Sequence, residues 1–463
     1  MSISVRSFIT AILVIFVLMV GSYILTLFIP SGEYQRVPDA EGNLVIDTSA
    51  GESAFTFVEG GIPFWKWLLS PVLTLGADGG GALIAVIAFL LVIGGIFNAL
   101  DHCGLIAYML DTLTRRFGAM RYRLMALVTL FFMSLGSLIG SFEECVPLVP
   151  IVVALAIHLG WDALTGIGMS LLAAGCGFAA GVLNPFTVGV AQQLSGLPMF
   201  SGVWLRLLSF VLIYSLLMAF LFFHAKRIER PLMEGSAPQE RFGQPRMKPA
   251  LICFSVILGV GIAIILCSGF LPALQDYTMI IVAVMFLVAG IVSTLVAGMK
   301  PKRLARISFF GMLGICPAVL MILMASSIRY TLEEAQIMDT ILHGAVGLAE
   351  EMPRWLVILF IYLIVLIANF FIPSGSAKAF MLIPLIVPMA QIFGISAQLC
   401  VLAFAFGDGF SNVFYPTNPA LLISLGLADT GYGKWFRWSW SFQLLNLLLT
   451  SLILLFGLWV GYQ

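Results

Sequence analysis

Gly181-Val182-Leu183-Asn184-Pro185-Phe186-Thr187 interrupts one long apolar stretch, and Asn412-Val413-Phe414-Tyr415-Pro416-Thr417-Asn418-Pro419 interrupts another. The two Asn-Pro pairs lie 234 residues apart, and the same offset carries Pro150 onto Pro384, Gly160 onto Gly394, Gly175 onto Gly409 and Trp204 onto Trp438. No gap is needed across these 55 positions. A proline inside a helix removes one amide donor and frees a carbonyl about one turn earlier, while Asn and Thr set side-chain oxygens beside the gap. A duplicated unit with such breaks, in an apolar chain, points to a membrane transporter built from two structural repeats. Taken singly, each Pro and Gly reads as a kink in a packed helix; the repetition at one offset is what favours a site.

Composition identifies the solvent. The 463 residues are 61% hydrophobic and 10% charged, with a mean hydropathy of +1.07, far too apolar for a soluble chain of this size. Net charge is zero and no segment holds a clustered Lys/Arg excess, which argues against a nucleic-acid partner. The seven cysteines are scattered singly and read as small core residues. The run from Phe8 to Ile29 is too long and uniform for a signal peptide and reads as the first transmembrane helix.

Apolar windows predict nine full spans, near 7–29, 79–100, 163–194, 202–224, 249–270, 277–298, 306–328, 396–426 and 440–461. Two further apolar pairs, 121–140 with 146–160 and 354–372 with 379–394, have second arms roughly 22–24 Å long, against a hydrocarbon core of about 30 Å. They read as re-entrant hairpins, although two tilted full spans would leave the remaining topology unchanged. The fold class is therefore an all-α polytopic membrane protein.

Placing the N-terminus in the cytoplasm puts 17 of the 23 Lys and Arg residues there, and the opposite orientation violates the positive-inside rule. The C-terminus then lies outside, and the two repeats are inverted about an axis in the membrane plane. Residues 1–78 hold the first span, an acidic external loop (30–62) and an interfacial helix marked by Trp65 and Trp67. Repeat one is 79–224, with hairpin 121–160 and broken helix 163–194. Residues 225–305 form a cytoplasmic linker and two connecting spans that read as scaffold. Repeat two is 306–463, with hairpin 354–394 and broken helix 396–426. Stretches 101–118 and 331–350 read as helices lying along the membrane surface.

The hairpin tips are the second set of breaks. They read Gly136-Ser137-Leu138-Ile139-Gly140-Ser141-Phe142-Glu143-Glu144 and Pro373-Ser374-Gly375-Ser376-Ala377-Lys378. Backbone groups there lack helical partners and must find a ligand, water or neighbouring protein. Two tips meeting two broken helices would form one shared pocket, in which half-helix N-termini attract carboxylates and freed carbonyls attract cations. An ionised side chain near the bilayer centre costs about 2.5–3.5 kcal/mol, so Glu143, Glu144, Lys378 and Asp408 are expected to line a pathway or pair. The offset makes Glu144 and Lys378 equivalent, so they are expected either to form a salt bridge or to take opposite ends of a zwitterion. A solvated loop is the bland reading of the Glu pair. His158 and His224 read as interfacial. No HExxH, GxSxG with a placed His, or Walker A sequence is present, so the chain does not read as an enzyme or primary pump.

At these residues the sequence resembles the YfcC family of the C4-dicarboxylate anaerobic carrier group, within the ion transporter superfamily. The resemblance rests on the Glu143-Glu144 tip, Asn184-Pro185-Phe186 followed by Val190-Ala191-Gln192, the Ser374-Gly375-Ser376 tip, and Phe406-Gly407-Asp408-Gly409-Phe410-Ser411 leading to Tyr415-Pro416-Thr417. It runs from the first span to the last. It implies an inner-membrane secondary carrier, a homodimer with scaffold and transport domains, linked to basic amino acid exchange and more loosely to dicarboxylates. Two positions depart from the family pattern: Lys378 stands where a neutral residue is usual, and Asn418-Pro419 replaces a smaller polar pair.

The expected function is alternating-access transport of amino acids or related small organic acids across the cytoplasmic membrane, with Na⁺ or H⁺ as a possible coupling ion and no other cofactor. Glu143, Glu144 and Asp408 are expected to hold an ammonium group or coupling ion, and Lys378 with the amides of Ser374, Gly375 and Ser376 a carboxylate. Ser141, Asn184, Thr187, Asn412, Thr417 and Asn418 complete the expected ligand shell. The alternatives are an ion-coupled C4-dicarboxylate carrier and, from another class, a channel or intramembrane enzyme.

Overall fold

Away from water, a chain satisfies its backbone internally, and a long apolar run does so by becoming helix. The computed structural model describes residues 5–38, 44–46, 55–77, 80–109, 112, 120–140, 142–198, 200–231, 246–268, 278–349, 352–372 and 374–463. The first third comprises α1 (Val5–Phe28), α2 (Phe64–Leu68), α3 (Ser70–Leu73), α4 (Gly80–Cys103), α5 (Arg121–Ile139) and α6 (Val149–His158). Next come α7 (Ala163–Ala180), with a π turn at Gly168–Leu172, and α8 (Val190–Leu194), preceded by a second π turn at Pro185–Gly189. Then follow α9 (Val203–Ile228), α10 (Met247–Ser268), α11 (Thr278–Val296), α12 (Pro301–Glu334) and α13 (Met338–Ala349). The chain closes with α14 (Arg354–Phe371), α15 (Gly375–Ile392), α16 (Ala397–Asn412), α17 (Pro419–Leu427) and α18 (Tyr432–Val460).

Among the described residues, five helical stretches are long and apolar enough to cross a membrane: Ala163–Ala180, Val203–Ile228, Met247–Ile264, Arg354–Phe371 and Tyr432–Val460. Their burial sorts them. Ala163–Ala180 is 94% buried, whereas the apolar windows of Val203–Ile228 and Tyr432–Val460 are 22% and 28% buried. The first is therefore the centre of the bundle, and the other two present apolar side chains outward, as lipid-facing helices do.

Glycines set the close approaches at that centre. A Cβ on Gly136 or Gly177 would strike backbone of α7 or α5 respectively, so those two helices pack at backbone distance. A Cβ on Gly407 would stand 2.7 Å from Val365 Cβ and 3.2 Å from Leu366 N, so α16 also lies close to α14. Helix α7 crosses α16, with Gly175 against Val413 and Gly409 against Ala179. Under the 234-residue offset these are one contact made twice.

Several boundaries differ from the hydropathy reading. Helix α12 runs to Glu334, so 331–334 continues a long helix, and only α13 remains of the expected surface stretch 331–350. Helix α15 starts at Gly375 rather than 379, which turns most of the second tip into a helical first turn. Of the expected surface helix 101–118, residues 101–103 close α4, 105–109 are helical after a turn at Gly104, and most of the remainder lies outside the described residues, as does most of linker 225–248. Segment 30–62 adds strands to a chain expected to be all-α. β1 (Gly32–Tyr34) pairs antiparallel with β4 (Phe55–Phe57), and β2 (Arg36–Pro38) with β3 (Leu44–Ile46).

This ribbon is fastened to α13 and the turn before it. Gly32 N donates to the Gln336 carbonyl at 2.9 Å, Tyr34 N donates to Asp339 Oδ2 at 3.0 Å, and Arg36 Nη2 spans both Asp339 oxygens at 2.9 and 2.7 Å. Phe55 stacks on His343 with centroids 4.1 Å apart. Asp339→Ala strands a backbone amide and a guanidinium, at a cost of about 1.5–3 kcal/mol. Native-state protease cleavage within 30–62 is expected to accelerate about tenfold or more, read by gel; an unchanged rate would show that the ribbon is held elsewhere.

Asp162 caps α7, accepting from Thr165 N at 2.9 Å and Thr165 Oγ1 at 2.8 Å, and faces His224 Nε2 at 3.3 Å. Burial pushes its carboxyl up, but the bonds from His224 and Thr165 outweigh this and hold it below its ordinary value of 3.8. A depressed acid stabilises the fold above its unfolded pKa and loses that contribution as pH falls through the folded value. Asp162→Ala should therefore cost about 0.5–2 kcal/mol near neutrality. The gap in thermal midpoint between variant and wild type should shrink toward zero as pH drops below about 4.

Candidate functional site

The second tip and second break meet on a buried ion pair. Lys378, in the first turn of α15, places Nζ 2.7 Å from Asp408 Oδ1 on α16, and both side chains are 0% exposed. Nζ also donates to the Ile372 carbonyl at 3.1 Å and to Asn369 Oδ1. Asn369, near the end of α14, in turn brings Nδ2 to the Asp408 carbonyl at 3.1 Å, Ser411 Oγ at 2.6 Å and Asn412 Oδ1 at 2.9 Å. Asn412 Oδ1 accepts a further bond from Asn418 Nδ2 at 3.0 Å, while Asn418 Oδ1 caps α17 through Leu421 N at 3.3 Å. Every hydrogen of the ammonium thus has an acceptor, which is the condition for holding a lysine without water.

The freed carbonyls of that break are also occupied. Trp435 Nε1 donates to the Val413 carbonyl and Tyr432 OH to the Phe414 carbonyl, each at 2.9 Å, from α18. At these two carbonyls an aromatic donor already takes one of the two acceptor sites.

At the first tip and first break the corresponding parts are joined by serine. Gly181 ends α7 in the left-handed region at φ 48°, and the next two amides, Val182 N and Leu183 N, donate to Ser137 Oγ and the Ser137 carbonyl, each at 3.1 Å. Asn184 Oδ1 accepts from Thr187 N at 3.3 Å and starts the π turn. Glu143 and Glu144 open a 3-10 turn, Glu143–Leu148. Glu143 is half-buried and within electrostatic reach of Asp408. Glu144 turns away, against a cavity of about 20 Å³ lined by Leu258 and Ile262 of α10 and Met285 and Phe286 of α11. The expected Glu144–Lys378 salt bridge is absent, because Lys378 takes the carboxylate on its own repeat's next helix, one hairpin away.

The halves interlock. Helix α15 packs on the π turn Pro185–Gly189 and on α8, while the 3-10 turn and α6 pack on α17. Gly375 sits at the crossing, where an added Cβ would lie 2.5 Å from Asp408 Oδ2 and 2.6 Å from Thr187 Cγ2. Asp408 Oδ2 therefore lies beside the first turn of α15 without a hydrogen bond from its amides. Three buried acceptors near the crossing have no hydrogen-bond partner in the chain: Asp408 Oδ2, Thr187 Oγ1 and, on the second break, Thr417 Oγ1. Among the described residues no cluster of three or more His, Cys, Asp or Glu side chains forms a metal centre.

The structure thus gathers Asn184, Thr187, Ser374, Gly375, Lys378, Asp408, Asn412, Thr417 and Asn418 with Glu143, and directs Glu144 outward toward α10 and α11. Ser141 and the Ser376 side chain lie outside the described residues. Asn369 was missed. A lone Asn in the apolar run 354–372 carried the same signal as the charged residues, an amide that a span tolerates only when bonded.

The sequence profile of the C4-dicarboxylate anaerobic carrier family matches residues 8–459. The chain belongs to that family. With its apolar helices, it is a multi-pass membrane transporter. It is 27% identical over 408 residues, 83% of this chain and 79% of the other, to YfcC of Escherichia coli strain K12, whose name marks it as a candidate basic amino acid antiporter. It is also 25% identical over 366 residues, 76% of this chain and 71% of the other, to an uncharacterized protein of Haemophilus influenzae. Among solved structures it is similar to the YdaH transporter of Alcanivorax borkumensis (TM-score 0.45, 20% identity, 98% and 97% of the two chains). The antimetabolite efflux pump MtrF of Neisseria gonorrhoeae is similar at TM-score 0.43 and 17% identity, over 96% and 94% of the chains.

In this carrier, removing one member of the buried pair leaves an uncompensated charge, at a cost of about 3–5 kcal/mol, whereas removing both is far milder. Lys378→Met and Asp408→Asn should each lower the thermal midpoint sharply, and the double variant should recover most of the loss. Additive losses across that cycle would show that the two do not act as a pair.

Proposed function

We propose that the protein is a secondary active carrier that exchanges basic amino acids across the cytoplasmic membrane by alternating access. The observation that carries this reading is the charge balance at the crossing. Lys378 is neutralised by Asp408, Glu143 lies within electrostatic reach of Asp408, and Asp408 Oδ2 and the Thr187 hydroxyl oxygen have no partner in the chain. A surplus of carboxylate and hydroxyl oxygen favours an ammonium or guanidinium group, or a coupling Na⁺ or H⁺. Paired with Asp408, Lys378 presents no uncompensated positive charge to a dibasic substrate. The similarity to YfcC supports the same class.

Alternating access follows from inverted repeats, 79–224 and 306–463, around a scaffold that includes 225–305 and works within a homodimer. A twofold axis makes each inter-repeat contact occur twice with partners exchanged. Gly175 against Val413 mirrors Gly409 against Ala179, and α15 on 185–194 mirrors 143–158 on α17. These reciprocal contacts support the axis. The basic-residue distribution supports a cytoplasmic N-terminus and an external C-terminus.

A second reading, an ion-coupled C4-dicarboxylate carrier, is favoured by the description of the matching family. Proteoliposomes preloaded with ornithine, succinate or buffer separate the two. Labelled arginine entry accelerated several-fold by internal ornithine alone supports the exchanger. No arginine entry, with succinate uptake driven by a Na⁺ or proton gradient, overturns it in favour of the second reading.

A further inference from the structure

The crossing leaves a substrate carboxylate without its expected partner, since Lys378 Nζ is filled by Asp408, Asn369 and the Ile372 carbonyl. A cavity of about 70 Å³ reaches the second break from another side. That is several times the roughly 10–15 Å³ that one water needs. One wall is a single face of α12, with Ser326, Arg329, Tyr330 and Glu333 at helical spacing, and the lining also includes Phe371 and Thr417. Thr417 is 5% exposed and its Oγ1 has no partner. The cavity therefore joins an unsatisfied hydroxyl on the broken helix to a guanidinium on the long helix outside both hairpins.

Arg329 is built to hold an anion there. Its Nε donates to Glu333 Oε1 at 2.6 Å, which uses one of five donors on a planar fork whose spacing matches a carboxylate. Its side chain remains 27% exposed. The pair with Glu333 is an i,i+4 contact near the surface, of a kind that contributes little to stability. The arginine is thus oriented by its neighbour without being needed by the fold.

We propose that Arg329 is the carboxylate anchor of the carrier, holding the substrate's carboxylate in this cavity while the rest of the molecule extends past Thr417 to the acidic crossing. The proposal rests on the transport reading above, and its chemistry is common to an amino acid and a dicarboxylate. The cationic end of an amino acid then meets Glu143 and Asp408, and the two ends are read by different parts of the protein. Lys378 is a structural cation, and Arg329 a binding one.

The test uses the full chain in proteoliposomes, as wild type, Arg329→Gln and Arg329→Lys, each checked for a monodisperse elution profile. Initial rates are measured for labelled arginine and labelled succinate, with agmatine, arginine without its carboxylate, as competitor. Arg329→Gln is expected to raise the KM for arginine about 10- to 100-fold, Arg329→Lys to raise it less, and agmatine inhibition to stay the same in all three. An unchanged KM, or loss of arginine uptake and agmatine inhibition by the same factor, overturns the anchor while leaving the exchanger in place. Succinate uptake in the wild type with a KM raised in Arg329→Gln keeps the anchor and overturns the exchanger. If the wild type moves neither substrate, both readings fall.

Discussion

One constraint organises this structure: a lysine and an aspartate, both fully buried, must satisfy each other where no water can. Lys378 and Asp408 come from different helices of one repeat, and their bond fixes the first turn of α15 against the end of α16. Asn369 is then required, because the ammonium has more hydrogens than Asp408 can accept, and the same amide ties α14 to Ser411 and Asn412. The break after Asn412 is held by Asn418 and by two aromatic donors from α18. A polar network of this kind is stabilising only when nearly complete. The few atoms left unpartnered therefore stand out as places for a ligand.

The two halves matched by the 234-residue offset solve the same problem with different residues. In repeat one, Ser137 satisfies the amides after α7 with a hydroxyl and a carbonyl, and no buried charge is needed. In repeat two, an amide, a lysine and an aspartate do the equivalent work. The shared part is glycine: Gly175 and Gly409 let α7 and α16 cross at distances that a side chain would forbid. The packing at these glycines is reciprocal, but the local backbone differs: 143–148 is a 3-10 turn where the offset-matched 377–382 is α-helix, and 185–189 is a π turn where 419–423 is α-helix.

Outside this centre, the ribbon of segment 30–62 is attached to the turn and helix that follow α12, mainly through Asp339 and His343. Helix α12 carries Arg329 and Glu333 and borders the cavity reaching Thr417.

Much of this was legible in the sequence. The offset between Asn184-Pro185 and Asn418-Pro419 located both breaks, because a proline in an apolar run disrupts its helix wherever that run folds. The same apolar lengths placed the helices, with errors of a few residues at ends such as Glu334 and Gly375, where capping and packing decide. The acidic and basic residues at the tips were visible as costly, and that cost required partners. Which partners they found was decided only by tertiary structure. The offset made Glu144 and Lys378 equivalent, and equivalence about an axis says nothing of distance. Lys378 bonds Asp408, Glu144 faces α10 and α11, and Arg329, unremarkable in sequence near the end of a long helix, borders the cavity at the second break. Helix existence follows from local periodicity and the absence of water. The pairing of buried charges follows from which side chains the packed helices bring within about 3 Å, and that is a property of the whole fold.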